Sequence, residues 1–387
     1  MMMEFREWFC LRNRANFTID PKVNPTDARF YFGRDDIKDK VLKQMRRSFV
    51  APGTPKMMIW GPYGSGKTQT LFYLDWTLHH DRPSSLQLQP HTVHLDIEVQ
   101  SKSDASSLHM QLLETLGKET VSNWVRELFK QVPDLKATLN ELTSDPNVVT
   151  GLEHLRTFGD INLTAWRWLT GQNLSTKELE NLGVTRNLGQ VGAGDMVVAL
   201  IAIGKLAERN GVKLIFLLDE MEELQNVRTG DATESIHQYF RRLSDSANST
   251  VGFIVGFKAN TLSEGPRILT REDIGSRLGM HNYIEVGHLP AVSDVKRFME
   301  ELLEHLVDTD KANDKIQAEA LEVTVKTYPF APSAFELLAD YASQDPYKAL
   351  PRNIINAINE CAIQAWDEDK ALVDDEIVNE VAPLVFA

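Results

Sequence analysis

Apolar residues in this chain fall into short unbroken runs separated by longer amphipathic stretches. Unbroken runs lie at residues 57–60, 214–218 and 251–257, an alternating one lies at 92–97, and a short one lies at 283–286. Parallel strands that are buried on both faces have this unbroken pattern, whereas amphipathic helices repeat about every 3.6 residues. The pattern therefore predicts an α/β fold with a three-layer, doubly wound parallel sheet.

The chain becomes wholly helical after Ala291. Amphipathic stretches there predict helices at 292–307, 315–327, 333–343, 351–366 and 374–385. Ser333-Ala334-Phe335-Glu336 has the form of a capping box. With a boundary near Pro290, the predicted domains are an N-terminal arm at 1–30, an α/β domain at 31–290 and a helical lid at 291–387.

Residues 118–190 separate the second strand from the third by an unusual length for a compact α/β domain. We predict an inserted helical subdomain there, with a small core formed by Trp124, Trp166, Trp168 and Leu169. A short helix within it begins at the capping box Ser175–Glu178 and ends at Gly183. Residues 196–206 are apolar nearly all round, which predicts a helix buried on most sides.

The composition narrows the class of protein. With 387 residues, 42% hydrophobic and 25% charged, the chain is typical of an ordinary folded protein. Its net charge of −14 argues against general nucleic-acid binding but leaves a local basic groove open. Cys10 and Cys361 are the two cysteines, which excludes a disulfide framework or a four-cysteine zinc site. The sequence shows no signal peptide and no membrane-spanning run, so we expect a cytoplasmic protein without membrane contact.

The first strand leads into Gly61-Pro62-Tyr63-Gly64-Ser65-Gly66-Lys67-Thr68, and a helix is predicted at 67–79. This is the P-loop spacing G-x-x-x-x-G-K-[ST] in a strand–turn–helix context. Glycines let successive N–H groups turn toward a phosphate, and the helix N-terminus adds a favourable dipole. We expect Lys67 to reach the β- and γ-phosphates of a nucleotide and the Thr68 hydroxyl to bind Mg²⁺. The predicted nucleotide-binding residues of the loop are Gly61, Pro62, Tyr63, Gly64, Ser65, Gly66, Lys67, Thr68 and Gln69.

The apolar run at 214–218 ends in Asp219-Glu220. In open parallel sheets, ligands bind beyond the carboxyl ends of the strands, which is also the edge at which a P-loop lies. We expect Asp219 to hold Mg²⁺ and Glu220 to polarise an attacking water, because metal coordination lowers the basicity of a carboxylate. The alternative is a solvated acidic turn that continues into Glu222 and Glu223.

Together, Gly-Pro-x-Gly-x-Gly-Lys-Thr and Leu-Leu-Asp-Glu resemble the AAA+ ATPases. Lys258-Ala259-Asn260-Thr261 and Gly275-Ser276-Arg277-Leu278-Gly279 resemble the initiator branch, which comprises origin-recognition ATPases and their archaeal relatives. The resemblance covers about residues 30–117 and 190–366. It implies that ATP and Mg²⁺ are bound, that Asn260 positions the lytic water, and that Arg277 reaches the nucleotide of a neighbour in a homo-oligomer.

Phe30-Tyr31-Phe32-Gly33-Arg34-Asp35 precedes the first strand. From its residues alone, this stretch is either a turn before a helix or the apolar lip of a nucleotide pocket. Phe32-Gly33-Arg34-Asp35 resembles the entry motif that the initiator branch places beside adenine. The resemblance therefore assigns Gly33 and Arg34 to nucleotide binding.

Arg352 follows Pro351 at the predicted start of a helix. A cation in the first helical turn is unfavourable against the helix dipole, and a nearby anion would reverse that penalty. The alternative is an exposed arginine at a loop edge. The resembled family places a second sensor arginine, which touches the γ-phosphate from the lid, at the start of this helix.

Two features depart from the initiators. The chain ends at Ala387, directly after the helical lid, so we do not expect DNA binding through the winged-helix domain that initiators use. The insertion at 118–190 is the second departure, and a shorter stretch of it, beginning Trp166-Arg167-Trp168-Leu169, resembles the large ATPases of bacterial BREX-type phage defence. We predict that this insertion binds a protein partner.

The sequence thus predicts an ATP-hydrolysing AAA+ protein. It would act as an oligomeric, ATP-driven switch in a prokaryotic multiprotein system acting on DNA, such as phage defence or mobile-element control. One alternative is a loader or targeting ATPase that grips DNA in the pore of its own ring, which salt-dependent DNA binding would reveal. The other is a nucleotide-locked scaffold with little turnover, which a steady-state ATPase assay would reveal.

Overall fold

The computed structural model describes residues 4–12, 14–49, 53–82, 84, 86–228, 230–245 and 249–386. Residues 1–3 and 13 of the predicted arm, and Ala387 at the end of the predicted lid, lie outside these ranges. The described strands form one five-stranded sheet with the spatial order β2-β3-β4-β1-β5. Their bounds are β1 Lys56–Gly61, β2 Gln89–Asp96, β3 Val212–Asp219, β4 Val251–Lys258 and β5 Tyr283–Glu285.

The α-helices alternate with the strands along the chain up to β5, and among the described residues α-helices alone follow it. They are α1 Phe5–Trp8, α2 Asp35–Ser48, α3 Lys67–His80, α4 Ala105–Leu116, α5 Lys118–Gln131, α6 Leu135–Leu142, α7 Pro146–His154, α8 Asp160–Leu169, α9 Thr176–Leu182, α10 Ala193–Arg209, α11 Gly230–Leu243, α12 Arg267–Thr270, α13 Glu272–Leu278, α14 Val292–Leu306, α15 Thr309–Ala318, α16 Pro332–Ser343, α17 Pro351–Asp367 and α18 Asp375–Val385. None of the helices in the described ranges is long and apolar enough to cross a membrane.

The parallel sheet confirms the predicted α/β fold. Strand β2 pairs with β3, β3 with β4, and β4 with β1, all in parallel. Strands β3 and β4 are buried along nearly their whole length, as expected of central strands. The register sets Gly61 opposite Lys258 and Asp96 opposite Asp219, so the carboxyl ends of these strands share one edge.

Two compact units divide the chain. The lid unit comprises Met1–Lys40, Pro62–Trp76 and Glu285–Ala387, and the sheet unit comprises Val41–Gly61 and Thr77–Ile284. Each unit has its own hydrophobic core. The P-loop after Gly61 therefore belongs to the same unit as the C-terminal helices. The predicted domain boundaries near residues 30 and 290 stay predictions.

Residues 118–190 fold as α5 to α9 and share the core of the sheet unit. One buried cluster combines strand residues such as Phe216 with the predicted core of the insertion, Trp124, Trp166, Trp168 and Leu169. The expectation of a separate small core is therefore wrong. Helix α10 is the reason, because its nearly all-round apolar surface packs on β3 and also against α5, α6 and α7. Asn210 Nδ2 at its end donates to the Trp124 carbonyl at 3.1 Å.

The predicted helix at 315–327 is wrong, whereas the other helices predicted after Ala291 are confirmed. Helix α15 begins earlier because the Asp308 side chain accepts from the Lys311 N–H at 3.3 Å, which makes it an N-cap. The helix ends before Ala320, whose left-handed φ of +50° cannot continue a right-handed helix.

One of the two predicted capping boxes is confirmed by the structure, and the other is wrong. The Ser175–Glu178 capping box of α9 and its left-handed Gly183 C-cap are confirmed. The predicted box at 333–336 is wrong, because Pro332 already begins α16 and Ala331 is its N-cap.

The N-terminal segment is anchored in the core of the lid unit. Phe9 and Phe17 are fully buried there. The Phe17 N–H donates to Asn359 Oδ1 of α17 at 2.7 Å, and the Arg12 N–H donates to the Leu306 carbonyl at 2.8 Å.

Candidate functional site

The P-loop is a tight turn in which the Lys67 side chain bonds back to the loop backbone. Gly64 and Gly66 have φ values of +79° and +95°, which favour glycine and let the N–H groups curl inward. Lys67 Nζ donates to the Pro62 carbonyl at 3.0 Å, so its charge lies across the loop. Helix α3 begins at Lys67, which brings the positive end of its dipole to the turn. This geometry is that of an anion-binding cradle.

Arg34 donates a side-chain hydrogen bond to the backbone of the P-loop. Its side chain is buried, and Nη1 donates to the Ser65 carbonyl at 2.5 Å while Nη2 donates to the Gly287 carbonyl. Burial lowers the pKa of the Arg34 guanidinium below its ordinary value. The guanidinium thus bonds one backbone carbonyl in the P-loop and one after β5, whereas the resemblance assigns Arg34 to nucleotide binding.

Gly33 makes the turn that leads to Arg34. Its φ is +59°, and its N–H donates to Glu301 Oε2 of α14 at 2.8 Å. A Cβ at this position would lie 2.8 Å from the Cβ of Phe298. The lack of a side chain at Gly33 therefore allows the chain to pass close to α14.

Residues 27–31, the stretch before Gly33, are hydrogen-bonded to side chains of α3. Gln69 Nε2 donates to the carbonyls of Asp27 and Phe30, both at 2.7 Å. The Tyr31 hydroxyl is 2.9 Å from Thr70 Oγ1, and its ring lies 5.2 Å from the ring of Tyr73. Gln69, which was predicted to bind nucleotide, is thus used to position this stretch.

A buried ionic cluster next to this stretch is not predicted by any pattern in the sequence. The Asp27 carboxylate is fully buried and accepts hydrogen bonds from the Arg14 guanidinium and from the Asp20 N–H at 3.0 Å. His305 Nε2 of α14 lies 3.2 Å from Asp27 Oδ1. His305 is far from Arg14 and Asp27 in the sequence, so no local motif marks the cluster.

Arg352 lies against the P-loop within the lid unit. Pro351 occupies the first turn of α17, as predicted. The Arg352 N–H donates to the Gly64 carbonyl at 3.3 Å, and its Cζ lies 4.2 Å from the centroid of the Tyr63 ring. Both side chains are exposed.

The acidic pair lies at the end of β3 in the sheet unit. Asp219 is buried, while Glu220 is exposed. Glu220 has left-handed backbone angles of φ +56° and ψ +30°, which is uncommon for a residue other than glycine. Such strained positions cluster at functional sites. Among the described residues, no group of three or more His, Cys, Asp or Glu side chains is placed to hold a metal ion.

Asn260 lies just beyond β4, in a loop bonded to the turn that follows Glu220. Glu222 Oε2 accepts from the Lys258 N–H at 2.8 Å. Glu264 Oε2 accepts from the Asn260 N–H at 3.1 Å, and the Glu264 carbonyl accepts from Gln225 Nε2 at 2.9 Å. Two side chains of the 3-10 helix Met221–Asn226 thus hold the loop that bears Asn260.

Arg277 lies exposed on α13. Its Nη1 donates to the Asp273 carbonyl one turn earlier. The Asp273 carboxylate lies 3.1 Å from Nε2 of the buried His237 of α11 and 3.5 Å from Nε of Arg241. This network fixes α13 on α11 and leaves the Arg277 side chain at the surface.

Comparisons with known proteins support the fold. No family model matches the sequence, and no curated protein matches it. The structure is similar to that of Cdc6p from Pyrobaculum aerophilum, with 14% sequence identity, coverage of 95% of this chain and 71% of that one, and a TM-score of 0.51. The chain shares the α/β fold of that protein, a parallel sheet followed by C-terminal helices. The ORC2 protein of Aeropyrum pernix, solved as ADPNP–ADP complexes, is similar at 12% identity, with 92% and 68% coverage and a TM-score of 0.51.

The comparisons bear on the fold alone, because the sequence identities are low. They agree with the resemblance to the initiator branch that the motifs predict. The resemblance to BREX-type ATPases and the roles of the individual site residues stay predictions.

Proposed function

We propose that this protein binds ATP with Mg²⁺ and hydrolyses it. The observation that carries the proposal is the P-loop, in which Gly64, Gly66 and Lys67 form a positively charged cradle at the start of α3. The similar ORC2 protein was solved with ADPNP and ADP, which adds support. A cytoplasmic setting is part of the proposal.

Each predicted residue has a part in this proposal. The loop from Gly61 to Thr68 binds the phosphates, and the Gln69 side chain positions the stretch before Gly33. Arg34 holds the loop through the Ser65 carbonyl, and Gly33 makes the turn that leads to Arg34. Thr68 and Asp219 supply hydroxyl and carboxylate oxygens, which suit Mg²⁺. That ion commonly binds through one or two protein oxygens plus substrate phosphates, so it needs no cluster of protein ligands.

We assign hydrolysis to two residues that follow strand ends and to two arginines. Glu220 polarises the attacking water, Asn260 positions it, Arg352 contacts the γ-phosphate, and Arg277 acts on the nucleotide of a neighbour. Bound Mg²⁺ would neutralise the charge that develops on the phosphates. The exposure of Arg277 on a braced helix supports its action in trans.

Two substitutions test the nucleotide site. Lys67→Ala should abolish nucleotide binding, because it removes the charge across the loop. Glu220→Gln should bind ATP normally but lose turnover, because an amide cannot act as a base. Calorimetric titration with ATP and a phosphate-release assay measure the two effects. Lys40→Ala is a matched control, since Lys40 is an exposed residue of α2 that pairs with Asp36. Wild-type ATP affinity in the Lys67→Ala variant would refute the assignment.

We further propose that the protein is an oligomeric switch in a prokaryotic multiprotein system acting on DNA, with a protein partner bound at the insertion. Phe158 and Phe129, in residues 118–190, are 79% and 50% exposed. Arg126 Cζ lies 4.4 Å from the Phe158 ring centroid, and Arg156 Cζ lies 4.9 Å from that of Phe129. Exposed aromatic side chains stacked with arginines are typical of protein interfaces.

Because the insertion shares the core of the sheet unit, point substitutions are a sharper test than its removal. The double variant Phe129→Ser/Phe158→Ser should keep ATP binding and lose the proteins that co-purify with the wild type from its host. Leu384→Ser is the control, since Leu384 is an exposed apolar residue of α18 in the lid unit. Unchanged co-purification in the double variant would contradict the proposal.

A further inference from the structure

The start of α17 is joined to the P-loop at two points. The backbone N–H of Arg352 donates to the Gly64 carbonyl at 3.3 Å. The Arg352 guanidinium lies over the Tyr63 ring, with Cζ 4.2 Å from the ring centroid. This distance is within the range of a cation–π interaction. Two neighbouring loop residues thus hold both the backbone and the side chain of Arg352.

The loop also supplies a cap that α17 lacks. Leu350, at the N-cap position, makes no side-chain hydrogen bond to the first turn, and Pro351 has no N–H. The Gly64 carbonyl therefore accepts one of the N–H groups that the helix start leaves unpaired. A Cβ on Gly64 would lie 3.0 Å from the Arg352 Cβ, so the close approach depends on glycine at this position.

Stacking leaves the hydrogen-bonding edge of Arg352 available. A guanidinium stacks through its face and donates through its edge, where its five N–H groups lie. Within the described residues, its side chain pairs with no carboxylate. A cation at a helix N-terminus is unfavourable against the dipole, and an anion that meets this edge would compensate.

We propose that Tyr63 is a positioning residue for Arg352, holding the guanidinium at the P-loop so that its N–H edge meets the terminal phosphate of a nucleoside triphosphate. The inference rests on the proposed function. Holding a long side chain in place before binding lowers the entropy lost on binding. Tyr63 should therefore favour a triphosphate over a diphosphate, although its ring makes no hydrogen bond to phosphate in this role.

A double-mutant cycle on nucleotide affinity tests the proposal. Calorimetry would give the Kd of ADPNP and of ADP for the wild type, Tyr63→Ala, Arg352→Ala and the double variant. Tyr63→Ala should weaken ADPNP binding by about two- to fivefold, the worth of an exposed cation–π pair. Arg352→Ala should weaken it by about tenfold to a hundredfold, as expected for a hydrogen bond to a charged group. The double variant should match Arg352→Ala, and ADP affinity should change less than about twofold throughout.

Conservative variants separate the ring from other properties of Tyr63. Tyr63→Phe keeps the ring and should restore wild-type ADPNP affinity, whereas Tyr63→Leu keeps apolar bulk and should behave as Tyr63→Ala. Without nucleotide, amide hydrogen exchange at Arg352 and Asn353 should be faster in Tyr63→Ala. Tyr63 is 63% exposed, so none of these changes affects the core.

Three results would overturn the proposal. Equal loss of ADP and ADPNP affinity in Tyr63→Ala would mean that the loop itself was damaged. Additive losses in the double variant would mean that Tyr63 acts independently of Arg352, and an effect of Tyr63→Phe equal to that of Tyr63→Ala would exclude the ring. If the wild type binds neither nucleotide, the proposed function has failed instead.

Discussion

Asp27→Asn should destabilise the lid unit more than any exposed substitution nearby. The Asp27 carboxylate is fully buried and accepts hydrogen bonds from Arg14, from His305 and from a backbone N–H. The Arg14 side chain is only 10% exposed, so neutralising its partner leaves a buried cation without a counter-charge. The change also loosens the stretch that Gln69 holds beside the P-loop.

The magnitude follows from the pKa of the carboxyl group. Burial alone would raise the pKa of Asp27, but hydrogen bonds from His305 and Arg14 outweigh it and lower the pKa to about 2. Relative to the ordinary value of 3.8, this shift corresponds to about 2 kcal/mol of stability. Breaking a buried ion pair adds a penalty for the remaining charge, so we expect a loss of about 2 to 4 kcal/mol.

The pH dependence of stability has the same cause. A carboxylate whose pKa is lower in the folded than in the unfolded state stabilises fully above the unfolded value, and this stability is lost as the pH falls from about 4 toward 2. Burial lowers the pKa of His305, so folding favours the neutral ring and loses stability as the pH falls below about 6.5. Asp27→Asn should remove the lower part of this acid dependence.

Hydrogen exchange of peptides covering α1 and α14, combined with urea unfolding between pH 3 and 8, measures both effects. Asp20→Asn is the matched control, because the Asp20 side chain is exposed and accepts a hydrogen bond from the Lys22 N–H at 2.9 Å, while the backbone N–H that Asp20 donates to Asp27 is kept. An unchanged urea midpoint at pH 7 for Asp27→Asn, or an acid dependence identical to that of the wild type, would refute the reasoning.

Two further predictions concern catalysis. Glu222→Ala should lower kcat with little change in ATP affinity, because it removes the acceptor of the Lys258 N–H beside the Asn260 loop. Glu222→Gln keeps an accepting oxygen and should retain more activity. A phosphate-release assay measures kcat, and calorimetry measures the ATP affinity. Arg277→Ala and Glu220→Gln should each be inactive alone and recover ATPase when mixed, because some interfaces then pair two intact residues. Wild-type turnover by Arg277→Ala in the oligomeric state would contradict the second.

The strands and the P-loop were predictable because their signals are local. The runs at 214–218 and 251–257 are unbroken because β3 and β4 are covered on both faces. The glycine-rich turn after β1 has a spacing that is typical of phosphate binding between a strand and a helix. The shared core of the insertion was less visible. The all-round apolar surface of α10 indicated a second packing partner, but nothing in the sequence says that residues 118–190 supply it.

Contacts between distant residues account for what the sequence did not reveal. Arg34 matches an entry motif, yet its guanidinium is bound to the carbonyls of Ser65 and Gly287, and this follows only from the fold. Tyr63 occupies a variable position of the P-loop pattern. Its role depends on Arg352, which lies nearly three hundred residues later and reaches it only because α17 starts at the loop.

The division into two units suggests how nucleotide affinity and turnover can be separated. Within the lid unit, the P-loop is bonded to Arg34 and to the start of α17. These bonds tie the position of α17 to the conformation of the loop that we propose to bind the phosphates. Glu220 and Glu222 belong to the sheet unit. A substitution at Tyr63 should thus change Kd, and those at Glu220 or Glu222 should change kcat. A variant of either set that changed both constants in proportion would mean that the two units do not act separately.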